Sequence, residues 1–497
     1  MRSLLLLALL ILPAVAKKPN ILWIFAEDLS PYFGCYDDPI NAGHTPTIDQ
    51  FAKDGVLFKR VFMPAPVCSA CRSAMITGVY QTTTGTHQHR SSRFTDGEIV
   101  PEHLRIHLPK GMKTIPELMR EAGYFTFNCG KDDYNFHYNR HDLYQVGTDP
   151  KYKVGMNGWQ GNKDPHFKDW TKSTWRAQKD KEQPWFGQIM IWGGKANARH
   201  VRKGHLLKPN DVPIPPYFPD HPEHRKAWTT HYNAARGTDH RIEQILALLK
   251  ADGEVENTII FFFSDHGNNQ SLRHKQFCYE GGVHVPLMIK GAHPALKAGT
   301  VRNDLVNGLD ISATTLAMGG AKLPDYFDGV DLFAKDHRAR THVVSARDRC
   351  DYTIDKIRTV RTEKMRYLKN YHLDRPMLQA QYRDNRPPVI TLKELRDAGK
   401  LTPYQQKHWF GERPVEELYD LAKDPHQINN LAKDPAYADE LDRHRGLLDS
   451  WIQESGDQGQ KPEDVAQLRA TFDLWIERPI FRDAQVNPEY DQFRKGN

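Results

Sequence analysis

A series of short apolar runs, each ending abruptly in charged or small polar residues, constrains this chain more than any other feature. They are Asn20 to Ala26 before Glu27-Asp28, Val56 to Met63 before the segment containing Cys68, Tyr124 to Cys129 before Gly130-Lys131, Trp185 to Trp192 before Gly193-Gly194-Lys195, and Thr258 to Phe263 before Ser264-Asp265-His266. Runs this short, mainly apolar and rich in branched and aromatic residues, predict strands buried on both faces of a parallel sheet. Amphipathic segments lie between them: one entered through Pro46 and closed by Gly55, one over Thr114 to Ala122 closed by Gly123, and a long one over Ala227 to Leu249. The expected fold is therefore α/β, a large doubly wound, mainly parallel sheet with helices on both faces. Such sheets bind ligands beyond the carboxyl ends of their strands, so the residues that terminate the runs are the candidate site.

Beyond about Thr341 the pattern changes. Thr359 to Lys369 alternates as antiparallel strands do, Glu417 to Leu421 is a further strand, and Asp434 to Glu454 is helical. A smaller C-terminal α+β subdomain with an antiparallel sheet is expected over 341–497, following a catalytic unit over 17–340. Met1-Arg2-Ser3, the apolar Leu4 to Leu12 and Ala14-Val15-Ala16 have the parts of a secretory signal peptide over 1–16. This predicts export to the periplasm or medium and a mature chain that begins at Lys17. No later run reaches the roughly 20 apolar residues of a membrane span. Net charge is +6 from 68 basic and 62 acidic residues, too balanced to argue for a nucleic-acid partner.

Cys68 opens a C-x-A-x-R pattern with Arg72, in a segment suited to a loop entering a helix N-terminus. Free N–H groups and the helix dipole there favour anions and reactive nucleophiles. The same pattern also fits one disulfide partner beside a buried thiol at Cys71. Glu27, Asp28, Asp265 and His266 are oxygen and nitrogen donors at strand ends, and hard carboxylates favour calcium or magnesium. Arg72, Lys131 and Lys275 add positive charge, so the set suits a tetrahedral oxyanion beside a divalent cation.

C-x-A-x-R at Cys68 to Arg72, Glu27-Asp28, Gly130-Lys131, Ser264-Asp265-His266-Gly267, Lys275 before Tyr279-Glu280-Gly281-Gly282, and Glu417-Leu-Tyr-Asp-Leu together resemble the type I, formylglycine-dependent sulfatases of the alkaline phosphatase superfamily. The resemblance keeps the family's order over nearly the whole mature chain. It implies that a maturation enzyme oxidises Cys68 to formylglycine, and that Glu27, Asp28, Asp265, His266 and the converted Cys68 bind one calcium ion. Arg72, Lys131 and Lys275 would then hold the nucleophile or the sulfate oxygens.

The chain departs from the family's commonest pattern at several positions. Ala70 replaces a proline, Glu27 an aspartate, Asp132-Asp133 a tryptophan and histidine, and Lys195 a histidine at the leaving group. The proton donor is thus Lys275, Lys195 or His87, of which an imidazole has the ordinary pKa nearest neutrality. Sulfated carbohydrate is the expected substrate, through long aromatic and basic loops at 137–183 and 195–235. Lys195, His89, Arg90, Arg347 and Arg349 are the candidate substrate-binding residues. Two other readings stay open: a phosphomonoester or phosphonate hydrolase, and a non-catalytic binder of sulfated glycans in which Cys68 is never converted.

Overall fold

The computed structural model describes residues 17–90, 101–146, 173–482 and 486–494. The expected export signal over 1–16 and much of the 137–183 loop lie outside these residues. Seven strands form the main sheet: β1 (Asn20–Ala26), β2 (Val56–Phe62), β3 (Phe125–Cys129), β4 (Trp185–Ile191), β5 (Thr258–Ser264), β6 (His284–Gly291) and β7 (Thr300–Asn307). Their order is β3-β4-β1-β5-β6-β2-β7. All neighbours pair in parallel except β6, which runs antiparallel to both β5 and β2. The apolar run at β6 announced a strand and carried no sign of its direction.

Alternation along the strands assigns the two faces. Ile21, Trp23 and Phe25 of β1, with Ile259, Phe261 and Phe263 of β5, pack under the helices Cys68–Thr77, Ile115–Glu121 and Gly308–Met318. Leu22, Ile24, Ile260 and Phe262 face the opposite way, onto the helices Pro46–Lys53 and Pro222–Ala251. Both faces are covered, which is why these strands read as continuous apolar runs. The Ile115–Glu121 helix starts at Thr114, whose amide and hydroxyl both donate to the Glu117 carboxylate at 2.7 Å.

The chain then builds a second sheet from β8 (His342–Arg347), β9 (Ile357–Thr362), β10 (Met365–Asn370) and β11 (Glu416–Asp420). Its order is β11-β10-β9-β8 with every pair antiparallel. The helix Ala438–Ser455 lays Leu441, Leu448 and Trp451 onto it. This sheet grips the loop that follows β5. Glu280 pairs with Arg361 at 2.9 Å and with Arg366 at 2.6 Å, and the Tyr279 hydroxyl donates to Glu417 at 2.8 Å. The motifs Tyr279-Glu280 and Glu417-Leu-Tyr-Asp are thus two sides of one contact.

Candidate active site

Cys68 is the first residue of its helix, preceded by Val67 in extended conformation, and its side chain is fully buried. The helix places Arg72 one turn on. Around the Cys68 Sγ stand Lys275 Nζ at 3.1 Å, His266 Nε2 at 3.3 Å and Asp28 Oδ1 at 3.9 Å. All six cysteines are free thiols. Burial alone would raise the Cys68 thiol; Lys131, Lys275, Lys195 and His266 overcome it and hold the thiol well below its ordinary range. Cys71, on the same helix, is pushed well above that range by burial and by Asp265. The two cysteines are chemically opposite.

The acids come from the ends of β1 and β5, adjacent strands in the sheet. Asp28 takes a left-handed backbone, φ 55°, as do Arg90, Asp133, Gln276 and Asp351 around the same site. Strain of this kind gathers where surrounding contacts over-determine it. Here the Asp28 amide donates to Asp265 Oδ1 at 2.9 Å and the Leu29 amide to Ser264 Oγ at 2.9 Å. Lys275 Nζ lies 3.2 Å from both Asp28 oxygens, and His266 Nε2 lies 3.0 Å from Oδ1. Burial favours the neutral acid at Asp28, yet Lys195, Lys275 and His266 hold its pKa well below the usual carboxylate range.

Glycines after β4 allow the tight approach. A Cβ on Gly194 would stand 2.0 Å from the Asp28 carbonyl oxygen, and the Gly194 amide donates to the Glu27 carbonyl at 2.8 Å. Gly194→Ala is therefore expected to displace the Glu27-Asp28 backbone and to destabilise the chain by about 1–3 kcal/mol. An unaltered melting temperature and unaltered activity would show that the backbone gives way without cost.

One oxygen or nitrogen each from Asp28, Asp265 and His266, together with the Cys68 Sγ, lie within 4.8 Å of one another. His266 Nδ1 lies 2.9 Å from the Gly267 carbonyl, which turns Nε2 inward as metal-binding imidazoles require. Without a cation, burial lowers the His266 pKa but Asp265 and Asp28 prevail and raise it to about 10. A carboxylate-rich set that must otherwise keep a proton on its imidazole fits a divalent cation.

Glu27 stands apart from this group. Its Oε1 meets Lys131 at 3.0 Å and Arg72 at 3.2 Å, and its Oε2 meets Lys195 at 2.7 Å. Arg72 also reaches Asp265 at 3.2 Å and the Lys131 carbonyl at 2.9 Å, with its guanidinium 4.0 Å over the Phe25 ring. It therefore ties together the ends of β1, β3 and β5.

The remaining candidates divide. Lys195 and Arg90 line a cleft of about 790 Å³ together with Glu27, Lys131 and Lys275. His87 does not reach Cys68: its charged neighbours are Asp348, Arg358, Glu463 and Asp457. His89 does, since one of its ring nitrogens, the Cys68 Sγ and an Asp133 oxygen lie within 4.8 Å of one another. Its Nδ1 stands 3.4 Å from Asp351, and Asp133 pairs with Lys131 at 2.7 Å. Asp132 turns away to Asn128, Tyr138 and Arg140. Arg347 and Arg349 are buried on Asp355 at 3.2 Å and Glu463 at 2.7 Å, and neither lines the cleft. The cleft wall that the sequence did not reveal comes from Trp192, Lys226, Tyr382, Arg386, Trp475 and Arg478.

A buried cysteine at a helix N-terminus with its thiol pKa held low, carboxylates at the ends of neighbouring parallel strands and lysines around both suit a hydrolase of tetrahedral oxyanion esters. The chain belongs to the sulfatase family of the alkaline phosphatase superfamily, whose Sulfatase model matches residues 19–321, and it is a sulfatase. It is 29% identical over 487 residues to an ulvan-active sulfatase of Formosa agariphila, covering 90% of this chain and 77% of that one. It is 27% identical over 362 residues to the N-acetylgalactosamine-6-sulfatase of Homo sapiens, covering 64% of this chain and 65% of that one. The solved structure of a 2-O GAG sulfatase superposes with a TM-score of 0.62 at 19% identity, over 92% of this chain and 96% of that one.

Proposed function

We propose that this chain is an exported sulfatase that releases inorganic sulfate from a sulfated carbohydrate, using Cys68 converted to formylglycine and one calcium ion. The observation that carries this reading is the convergence of Lys275, His266 and Asp28 on the Cys68 Sγ at the mouth of a helix. The sugar preference is taken from the N-acetylgalactosamine-6-sulfatase and the ulvan-active relative. Residues 17–340 form the catalytic unit and 341–497 the smaller one.

Asp28, Asp265, His266 and the converted Cys68 would hold the cation, which supplies Lewis-acid polarisation and neutralises oxyanion charge. Conversion of Cys68 supplies an aldehyde whose hydrate carries two hydroxyls on one carbon, one to attack sulfur and one whose proton loss lets sulfate depart by elimination. Lys275, between Asp28 and the nucleophile, stabilises the attacking oxygen and a sulfate oxygen. Lys131 and Lys195 bring positive charge to the sulfate from the β3 and β4 ends. Glu27 serves as their counter-charge, and Arg72 positions Glu27 and Asp265. The departing alcohol meets Lys195 or Lys275 at the cleft, while His89, held by Asp351, replaces His87 as the imidazole placed to exchange a proton with the nucleophile.

Mass spectrometry of the peptide containing position 68 tests the reading. Conversion of CH₂SH to CHO removes roughly 18 Da, whereas thiol oxidation adds oxygen and mass. Only intact cysteine after co-expression with a maturation enzyme would leave a glycan-binding protein in place of an enzyme of this mechanism. Turnover of a phosphonate monoester with no sulfate ester accepted would favour the other hydrolase.

A further inference from the structure

The inner cations are already committed. Arg72, Lys131, Lys195 and Lys275 lie on Glu27, Asp28 and Asp265, and Arg90 lies on Asp351 at 3.0 Å. Farther out in the same cleft, Lys226, Arg386 and Arg478 have no carboxylate partner among the described residues. Lys226 comes from the second turn of the long Pro222–Ala251 helix, Arg386 caps the Pro387–Asp397 helix, and Arg478 follows the Val465–Trp475 helix.

Arg386 donates to the Asn269 carbonyl at 3.2 Å, and Arg478 stacks 4.5 Å over Trp475; both contacts leave a full positive charge without an acid. Glu223 lines the same cleft without an ion pair to any of them among the described residues, and three cations from separate elements outweigh that one carboxylate and focus positive potential there. Trp192, 41% exposed, and Tyr382 supply flat apolar faces in the same cleft. Its volume of about 790 Å³ exceeds what a sulfate group alone needs.

We propose that Lys226, Arg386 and Arg478 form a subsite for a second anionic group, a carboxylate or a further sulfate, carried by the same sugar chain as the scissile ester. The inference rests on the reading of the chain as a carbohydrate sulfatase. The subsite selects substrates by charge beyond the reacting group, through charge-assisted and bidentate hydrogen bonds from the two arginines.

The test measures binding, so that it does not depend on turnover. Calorimetric titration of Cys68→Ala uses three probes: a monosulfated disaccharide containing a uronic acid, its carboxyl-reduced counterpart, and a disulfated disaccharide without a uronic acid. At least one dianionic probe is expected to bind on the order of tenfold more tightly than the carboxyl-reduced one. Which of the two gains identifies carboxylate or sulfate as the occupant.

Adding Arg386→Ala and Arg478→Gln should collapse that preference, and Lys226→Ala, on an exposed helix face, should reduce it with the melting temperature unchanged. Equal affinity for all three probes, or a preference that survives the added substitutions, would overturn the proposal. Sulfate release by the converted chain from these probes is scored separately, and its absence would count against the sulfatase reading of the cleft.

Discussion

Cys68→Ala is expected to abolish sulfate release, with kcat/KM falling on the order of 10⁴-fold or more, as when the nucleophile of a concerted catalytic unit is removed. The substitution deletes one sulfur atom from a site whose walls are held by other contacts. Arg72 still binds Glu27 and Asp265, and the Asp28 amide still donates to Asp265. The helix retains its extended Val67 entry and its Gly78 exit at φ 70°. Melting temperature and circular dichroism should therefore stay close to those of the parent, separating loss of chemistry from loss of fold. Retained turnover in Cys68→Ala would assign the nucleophile elsewhere.

Lys275→Ala is expected to lower kcat by about 10²–10³-fold, the 2.7–4 kcal/mol lost when a preorganised donor to a developing oxyanion is removed. Lys275 is buried, and burial disfavours its charge. Asp28 and Cys68 outweigh that and hold its pKa well above the ordinary lysine value, so the ammonium stays charged throughout the neutral range. Removing it leaves Asp28 with His266 at 3.0 Å and Lys195 at 3.8 Å. Since breaking one side of a buried pair costs about 3–5 kcal/mol, Lys275→Met, which keeps the packing, belongs beside the alanine variant. Conversion of Cys68 measured by mass in both variants shows whether the site has still formed. An unchanged rate in a folded, converted variant would remove Lys275 from the reaction.

The ends of β1 and β5 were legible because continuous apolar residues break there to charge within one or two positions, supplying Glu27, Asp28, Asp265 and His266. The helix at Cys68 was legible from the C-x-A-x-R pattern and the apolar run that ends at Gly78. The choice between His87 and His89 was not: they lie two residues apart, and the left-handed turn at Arg90 and the His89 bridge to Cys350 decide which imidazole reaches Cys68. Arg347 and Arg349 invited a ligand because their partners, Asp355 and Glu463, lie 8 and 114 residues away in sequence. The cleft wall was hidden for the same reason, since Lys226, Arg386 and Arg478 meet only in three dimensions. The four-donor group also separates from Glu27, because Lys131 and Lys195 from two strand ends and Arg72 from the Cys68 helix draw that carboxylate aside.

The loop that carries Lys275 is finished by chain made much later. Arg383, fully buried, donates to the carbonyls of Asn269, Ser271 and Lys275 at 3.3, 3.4 and 3.1 Å and to the Gln276 side chain at 2.9 Å. During synthesis from the amino terminus, Asp28, Cys68, Asp265 and His266 therefore emerge long before Arg383, which fixes the Lys275 loop beside them. A nascent chain passes through an interval in which Cys68 has been made while its enclosure is incomplete. That interval leaves the Cys68 side chain more open than in the folded chain, where it is buried, and it closes as the C-terminal part is translated and docks.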